Sequence, residues 1–236
     1  MAGFVATVRL DIVRQARSGL YLIGVVGALL FGLFGRLVIP ERYAGEALSG
    51  LYLLALSSTT FMFCAAQVLM DRSAGTLLAL RASPLTADAY MGAKVLTLTA
   101  FSMVEAVLMY TIAFWGVSLE VLPLAGGVLG LGIMYAFIGL GLVARHNSLL
   151  AFLFPRAAVV GMVTQFPVFY VLELGPPSLY YAIPSMGPML LMLASVRELS
   201  PGQWIYSVVV TVGSIGLAIL WARRGFRHHV TLGTRS

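Results

Sequence analysis

Residues 71–94 read DRSAGTLLALRASPLTADAYMGAK. They are the longest polar interruption in the first half of a very hydrophobic chain, and they carry Asp71, Arg72, Arg81, Asp88 and Lys94. Residues 73–82 are good helix formers, with Leu77, Leu78 and Leu80 supplying apolar contact. Pro84 pushes Ser83 out of the α region and ends that helix. Thr86 is placed to cap a second helix, with Asp88 in its first turn, where the helix dipole favours an acid. The stretch predicts a short helix, a sharp break and the start of a long helix. At a membrane surface such a short helix is either a docking element or an ordinary interfacial connection between two spans.

The rest of the composition says why a membrane is at issue. Of 236 residues, 60% are hydrophobic and only 10% are charged, with a mean hydropathy of +0.95. Soluble domains carry roughly 25% charged residues, so the expected fold is all-α and polytopic, one transmembrane domain over residues 1–236 with no sizeable soluble part. The net charge of +6 then belongs to basic residues beside lipid headgroups, not to nucleic-acid binding. Cys64 is the single cysteine and lies in an apolar run, which excludes an internal disulfide. The first apolar run is followed by Arg36, Leu37 and Val38 instead of a small-residue cleavage site, and reads as a retained span.

Residues 1–18 predict an amphipathic interfacial helix, with Phe4, Val5, Val8, Ile12 and Val13 on one face and Arg9, Arg14 and Arg17 towards headgroups and water. Spans are expected at 19–39, 48–70, 95–119, 124–144, 157–172 and 204–221, each near the ~20 residues a crossing needs. The fifth is the least regular, with Pro155 and Arg156 at its start. Glycines 126, 127, 130, 132, 139 and 141 mark the fourth as a closely packed helix. Residues 173–203 are apolar but hold Pro176, Pro177, Pro184, Pro188 and Pro201, too many for one straight span. They predict short helices that dip into one leaflet and return, as an external re-entrant segment.

Charge orients the chain. One side would hold Arg9, Arg14, Arg17, Arg72, Arg81, Lys94, Arg145, Arg156, Arg223, Arg224, Arg227 and Arg235; the other holds Arg36, Arg42 and Arg197. The basic side is cytoplasmic by the positive-inside rule. Six spans put both termini there, in the inner (plasma) membrane.

No catalytic, nucleotide or metal motif is present, and no cofactor is expected. His228 and His229 are adjacent in the basic tail, and His146 sits in a polar turn. Glu105 stands apart: eleven residues beyond Lys94, it lies about 16 Å deeper along a helix, near mid-bilayer. A carboxyl there faces the bundle or a wet cavity. It reads either as a contact in the substrate pathway or conformational lock, or as a structural residue bonded to a neighbouring helix. The aromatic residues of 166–181 fit an interfacial belt.

The 71–94 stretch resembles the signature region of ABC-2 type transporter permeases. Asp71, Arg72, Gly75, Thr76, Leu77, Leu80, Ser83, Pro84, Leu85, Thr86, Tyr90 and Lys94 stand at matching spacing. Ser73 departs from the pattern, where the family usually has Glu. Ile183-Pro184 and Gly187-Pro188 lie in the place of the family's proline-containing external motif. The resemblance implies a membrane subunit that works with a second permease, identical or a sister, and with two copies of a separate ABC ATPase. Residues 73–82, with Leu78 towards the partner, would be the coupling helix. The sequence is also similar to the fluoroquinolone-export permease group, implying export of an amphipathic drug or antibiotic; relatives of this outline export lipids and lipid-linked glycans. An intramembrane lipid-processing enzyme would need clustered Asp, His or Ser near one leaflet. A simple membrane anchor would need neither Glu105 nor the Pro-broken segment.

Overall fold

The computed structural model describes residues 2–77, 85–113, 119–146, 148–153 and 158–226. Among the described residues every regular element is helical. In chain order these are α1 (Ala2–Arg17), α2 (Leu20–Val38), a 3-10 turn (Glu41–Tyr43), α3 (Ala44–Ser73), α4 (Ala87–Ala113), α5 (Val121–Val143), α6 (Leu149–Phe152), α7 (Ala158–Gln165), α8 (Val168–Val171), α9 (Pro177–Tyr181), α10 (Met186–Leu193) and α11 (Pro201–Phe226). Five of them, α2, α3, α4, α5 and α11, are long and apolar enough to cross a membrane.

α3 and α5 form the centre. Leu53, Leu56, Cys64 and Val68 of α3 and Leu131, Leu140 and Val143 of α5 are fully buried. α4 packs on both, α2 packs on α4, and α11 packs on α5. Lipid tails are as apolar as leucine, so close backbone approach rather than water exclusion must hold such helices together. The glycines of α5 supply it. A Cβ at Gly127 would sit 2.7 Å from the Pro188 carbonyl, at Gly130 2.6 Å from Thr211, at Gly139 3.0 Å from Cys64 and at Gly141 2.8 Å from Trp221. Gly132 meets Ser102 in the same way, whereas Gly126 faces open space. α2 and α11 leave apolar side chains bare on their remaining faces, among them Leu22, Leu30, Leu37, Ile205, Val209 and Leu217.

The expected fifth span is not one helix. α7 ends at Gln165 and α8 starts after Pro167. Proline has no N–H to give the Val163 carbonyl, and Phe166 N takes that carbonyl instead at 3.3 Å. The proline-rich segment folds as two short helices. All eight residues of α10 are buried, and α10 packs between α5, α11 and α3. Ser200 and Gln203 cap α11 reciprocally: Gln203 N donates to Ser200 Oγ at 3.3 Å and Ser200 N to Gln203 Oε1 at 3.0 Å.

Candidate functional site

The expected short helix does not start at Ser73. Ser73 is the last residue of α3, its hydroxyl donating to the Met70 carbonyl at 2.9 Å. Gly75, at φ +71, then ends the helix; this left-handed conformation is open to glycine at no steric cost. Thr76 and Leu77 are helical again, with Leu77 buried. Leu78, Leu80, Arg81, Ser83 and Pro84 lie outside the described residues, as do Arg156, His228 and His229. On the far side the expected cap is present: Ala89 N donates to Thr86 Oγ1 at 3.2 Å, and α4 begins at Ala87.

The two roots of this segment meet in a buried ionic cluster. Asp71, in the last turn of α3, receives Arg14 Nη1 from α1 at 2.6 Å and Lys94 Nζ from α4 at 2.8 Å. The Tyr90 hydroxyl donates to the same carboxylate at 2.6 Å. Lys94, 1% exposed, also contacts Asp11 Oδ1 at 2.9 Å, donates to Gln67 Oε1 at 3.3 Å and lies 4.8 Å from the centre of the Tyr90 ring. Beside it Gln15 Nε2 donates to Thr97 Oγ1 at 2.8 Å. Two acids and two bases balance, as a cluster out of water requires. Burial still pushes the Asp11 carboxyl above its ordinary 3.8, against the pull of Lys94. A cavity of 330 Å³ opens between α1, α3 and α4 against this cluster, walled in part by Arg14, Arg17, Met70 and Ala74.

Neighbouring ties bring further ends together. Arg72 donates to the carbonyls of Ala144, at 3.0 Å, and His146, holding the end of α3 to the end of α5. Arg223 of α11 pairs with Asp88 of α4 at 3.0 Å. Arg14, Arg72, Lys94 and Arg223, all placed on one side by the arginine asymmetry, thus meet at one end of the bundle. Elsewhere Arg197 pairs with Glu46 at 3.2 Å and donates to the Tyr170 hydroxyl at 3.2 Å.

Glu105 lies inside the bundle, 2% exposed, between α2, α3 and α4. Oε2 accepts from Thr59 Oγ1 at 2.9 Å, and buried Oε1 has no hydrogen-bond partner among the described residues. Gly24 of α2 makes room for it: a Cβ there would sit 2.5 Å from Oε1 and 2.4 Å from the Phe101 ring. Among the described residues no group of His, Cys, Asp and Glu is placed to hold a metal.

A sequence profile of the fluoroquinolones export permease protein family matches residues 2–234. The chain belongs to that family. It is similar to the fluoroquinolones export permease proteins of Mycobacterium tuberculosis strains CDC 1551 and H37Rv, 24% identical to each over 221 residues, 90% of this chain and 92% of theirs. It is therefore a membrane protein of a drug-export permease family, in keeping with the ABC-2 resemblance of residues 71–94.

Sequence reasoning passed over Asp11, Gln15 and Gln67. Their signal was present. Asp11 and Gln15 are one helical turn apart on α1 and turn inwards, opposite an exposed side carrying Val5, Ile12 and Val13. Gln67 is a polar residue in an apolar run, and it faces Lys94.

Proposed function

We propose that this chain is the membrane subunit of an ATP-driven ABC exporter that moves an amphipathic, drug-like molecule out of the cytoplasm. It sits in the plasma membrane with both termini cytoplasmic and works with a second permease, identical or a sister. Two copies of a separate ABC ATPase dock on the segment that includes Leu78 and Leu80. The family match over residues 2–234, whose curated relatives are named for fluoroquinolone export, carries this reading. The geometry supports it: Asp71, Tyr90 and Lys94, three positions of the ABC-2 signature, join both roots of the docking segment in one buried cluster. ATP-driven movement of that segment would be passed to α1, α3 and α4 together.

In this reading α7 and α8 together make a sixth, broken crossing. Backbone groups freed at membrane depth must be satisfied within the protein. At this break the Thr164 carbonyl accepts from the Tyr135 hydroxyl at 3.1 Å and from Ser185 Oγ, and Gln165 Nε2 donates to Ser58 Oγ at 2.7 Å. α9 and α10 form the external re-entrant segment, and α1 lies at the cytoplasmic interface. Glu105 is the acid of the pathway: its open Oε1 would accept a hydrogen bond from a cationic or zwitterionic cargo when α2 moves away. Few fixed charges lie within the spans, and their Leu, Met and Phe side chains suit bulky apolar bodies.

The test is ATP-dependent uptake into inverted vesicles holding permease and ATPase. A fluoroquinolone, an anthracycline, a labelled lipid and a polar glycan are compared. Accumulation of the fluoroquinolone is expected; movement of the glycan with no accumulation of any amphiphile refutes the proposal.

A further inference from the structure

We propose that the cavity between α1, α3 and α4 binds an anionic group, a carboxylate or phosphate ester, carried on an apolar body. The charges of its walls do not cancel. Asp11 and Asp71 are consumed by Lys94 and Arg14, at 2.9, 2.8 and 2.6 Å. Arg17 also lines the cavity and makes no ion pair among the described residues, so the lining carries one positive charge in excess. Lys94, 1% exposed, is already spent on both acids. Arg14 spends one nitrogen on Asp71, and its side chain is still 40% exposed. Arg17 follows it by three residues on the same side of α1, so the two guanidinium groups face a shared space. Paired guanidinium groups are suited to carboxylate and phosphate oxygens.

Two further observations set the ligand's character. Gln67 lines the same cavity, and its buried Nε2 is a donor with no partner among the described residues. An acceptor oxygen entering between α1 and α3 would give it one. Met70, which is exposed, and Ala74 make the outer wall. An inorganic ion would gain nothing from that wall, whereas an amphiphile would cover it, and methionine adapts to several shapes. The volume of 330 Å³ falls within the ~300–1,000 Å³ of small-molecule sites. Two sources share this chemistry: a phospholipid of the leaflet on which α1 lies, and a carboxylate-bearing cargo. The second rests on the export reading above; the first does not.

Full-length permease in phosphatidylcholine nanodiscs is titrated with a fluorescent phosphatidylglycerol, a fluoroquinolone and a neutral fluorescent phosphatidylcholine. At least one anion should bind, with affinity falling about tenfold in Arg17→Gln, the loss expected of one hydrogen bond to a charged group. The neutral probe should not respond. Met70→Asp, which adds a like charge to the wall, should weaken the same binding, with size-exclusion profiles reporting the folded state of both variants. A response confined to phosphatidylglycerol assigns the site to lipid, and one confined to the fluoroquinolone assigns it to cargo. If both variants bind both anions as tightly as the parent, or if the parent prefers neither anion to the neutral probe, the proposal is overturned. A fluoroquinolone that binds here, while the vesicles move the glycan and accumulate no amphiphile, would refute the export reading and leave this site standing.

Discussion

Replacing Lys94 with methionine keeps the side chain's approximate volume and removes the one ammonium that touches both Asp11 and Asp71. Asp71 retains Arg14 at 2.6 Å and the Tyr90 hydroxyl. Asp11 is left without a counter-ion, its side chain 4% exposed. Breaking a buried pair in this way costs roughly 3–5 kcal/mol. Protonation sets a ceiling on the loss. A carboxyl of ordinary pKa 3.8 costs about 4.4 kcal/mol to protonate at pH 7, at about 1.36 kcal/mol per unit. The pH dependence has a definite sign. Burial raises the Asp11 pKa in the folded state, so the folded protein holds a proton that the unfolded chain has released. Stability therefore falls as pH rises from 3.8 through the raised value. Lys94→Met should extend that fall towards neutral pH, because the largest influence favouring the charged carboxylate is then gone and only the weaker pull of Arg14 remains. Thermal unfolding of the detergent-purified protein, followed from about pH 5 to 8, should show the variant losing ground to the parent as pH rises. The double variant Asp11→Asn, Lys94→Met, with no orphaned charge, should recover most of the loss and flatten the slope. Lys94→Met as stable as the parent throughout, or a double variant as unstable as the single one, would refute the reasoning.

Leu78→Asp should leave the protein in the membrane and reduce ATPase co-purification more than about tenfold, because an unpaired carboxylate is unfavourable in an apolar groove; unchanged recovery of the ATPase removes the docking role. Glu105→Gln should shift transport rates severalfold at normal expression, whereas a change in thermal stability alone would confine Glu105 to helix packing. For orientation, single cysteines at Glu41 and Ala74 in a Cys64→Ala background meet an impermeant thiol reagent on intact cells. Both positions are exposed; labelling is expected at 41, and labelling at 74 alone would invert the topology.

What could be read from the chain was what depends on local chemistry or on summed composition. Thr86 caps α4 because the donors at a helix start lie within three residues of the cap. The glycines of α5 announced close packing because a small side chain permits it whatever the neighbour. The proline-rich segment had to break into short helices because each proline removes a donor at its own position. One misplacement was local too, since Gly75 ends α3 at a position read as helix, and Pro167 puts a break inside the run read as the fifth span. What stayed hidden depends on partners far apart in sequence. Asp11 and Lys94 are separated by 83 residues, and neither carries a mark of the other.

Lys94 shows how such a contact changes an argument without reversing it. The orientation of the chain was read by counting basic residues, and Lys94 was counted as a charge facing headgroups. It faces Asp11 and Asp71 instead, so it is an internal counter-ion and contributes little attraction to the membrane surface. Removing it from the count leaves eleven basic residues against three, and the asymmetry survives. The same residue gains a different importance. An acid on α1, an acid closing α3 and a base on α4 share one buried cluster, so a shift of one helix alone would part charges that are paired there, at a cost. A push delivered through residues 72–89 would therefore move α1, α3 and α4 as a unit, or break the cluster first. Asp11→Asn separates these outcomes: Lys94 keeps Asp71 at 2.8 Å, α1 loses its tie to Lys94, and ATP hydrolysis should continue while the transport driven by each ATP falls. Unchanged coupling in that variant would show that the Asp11–Lys94 tie takes no part in the movement, since α1 keeps Arg14 on Asp71 and Gln15 on Thr97.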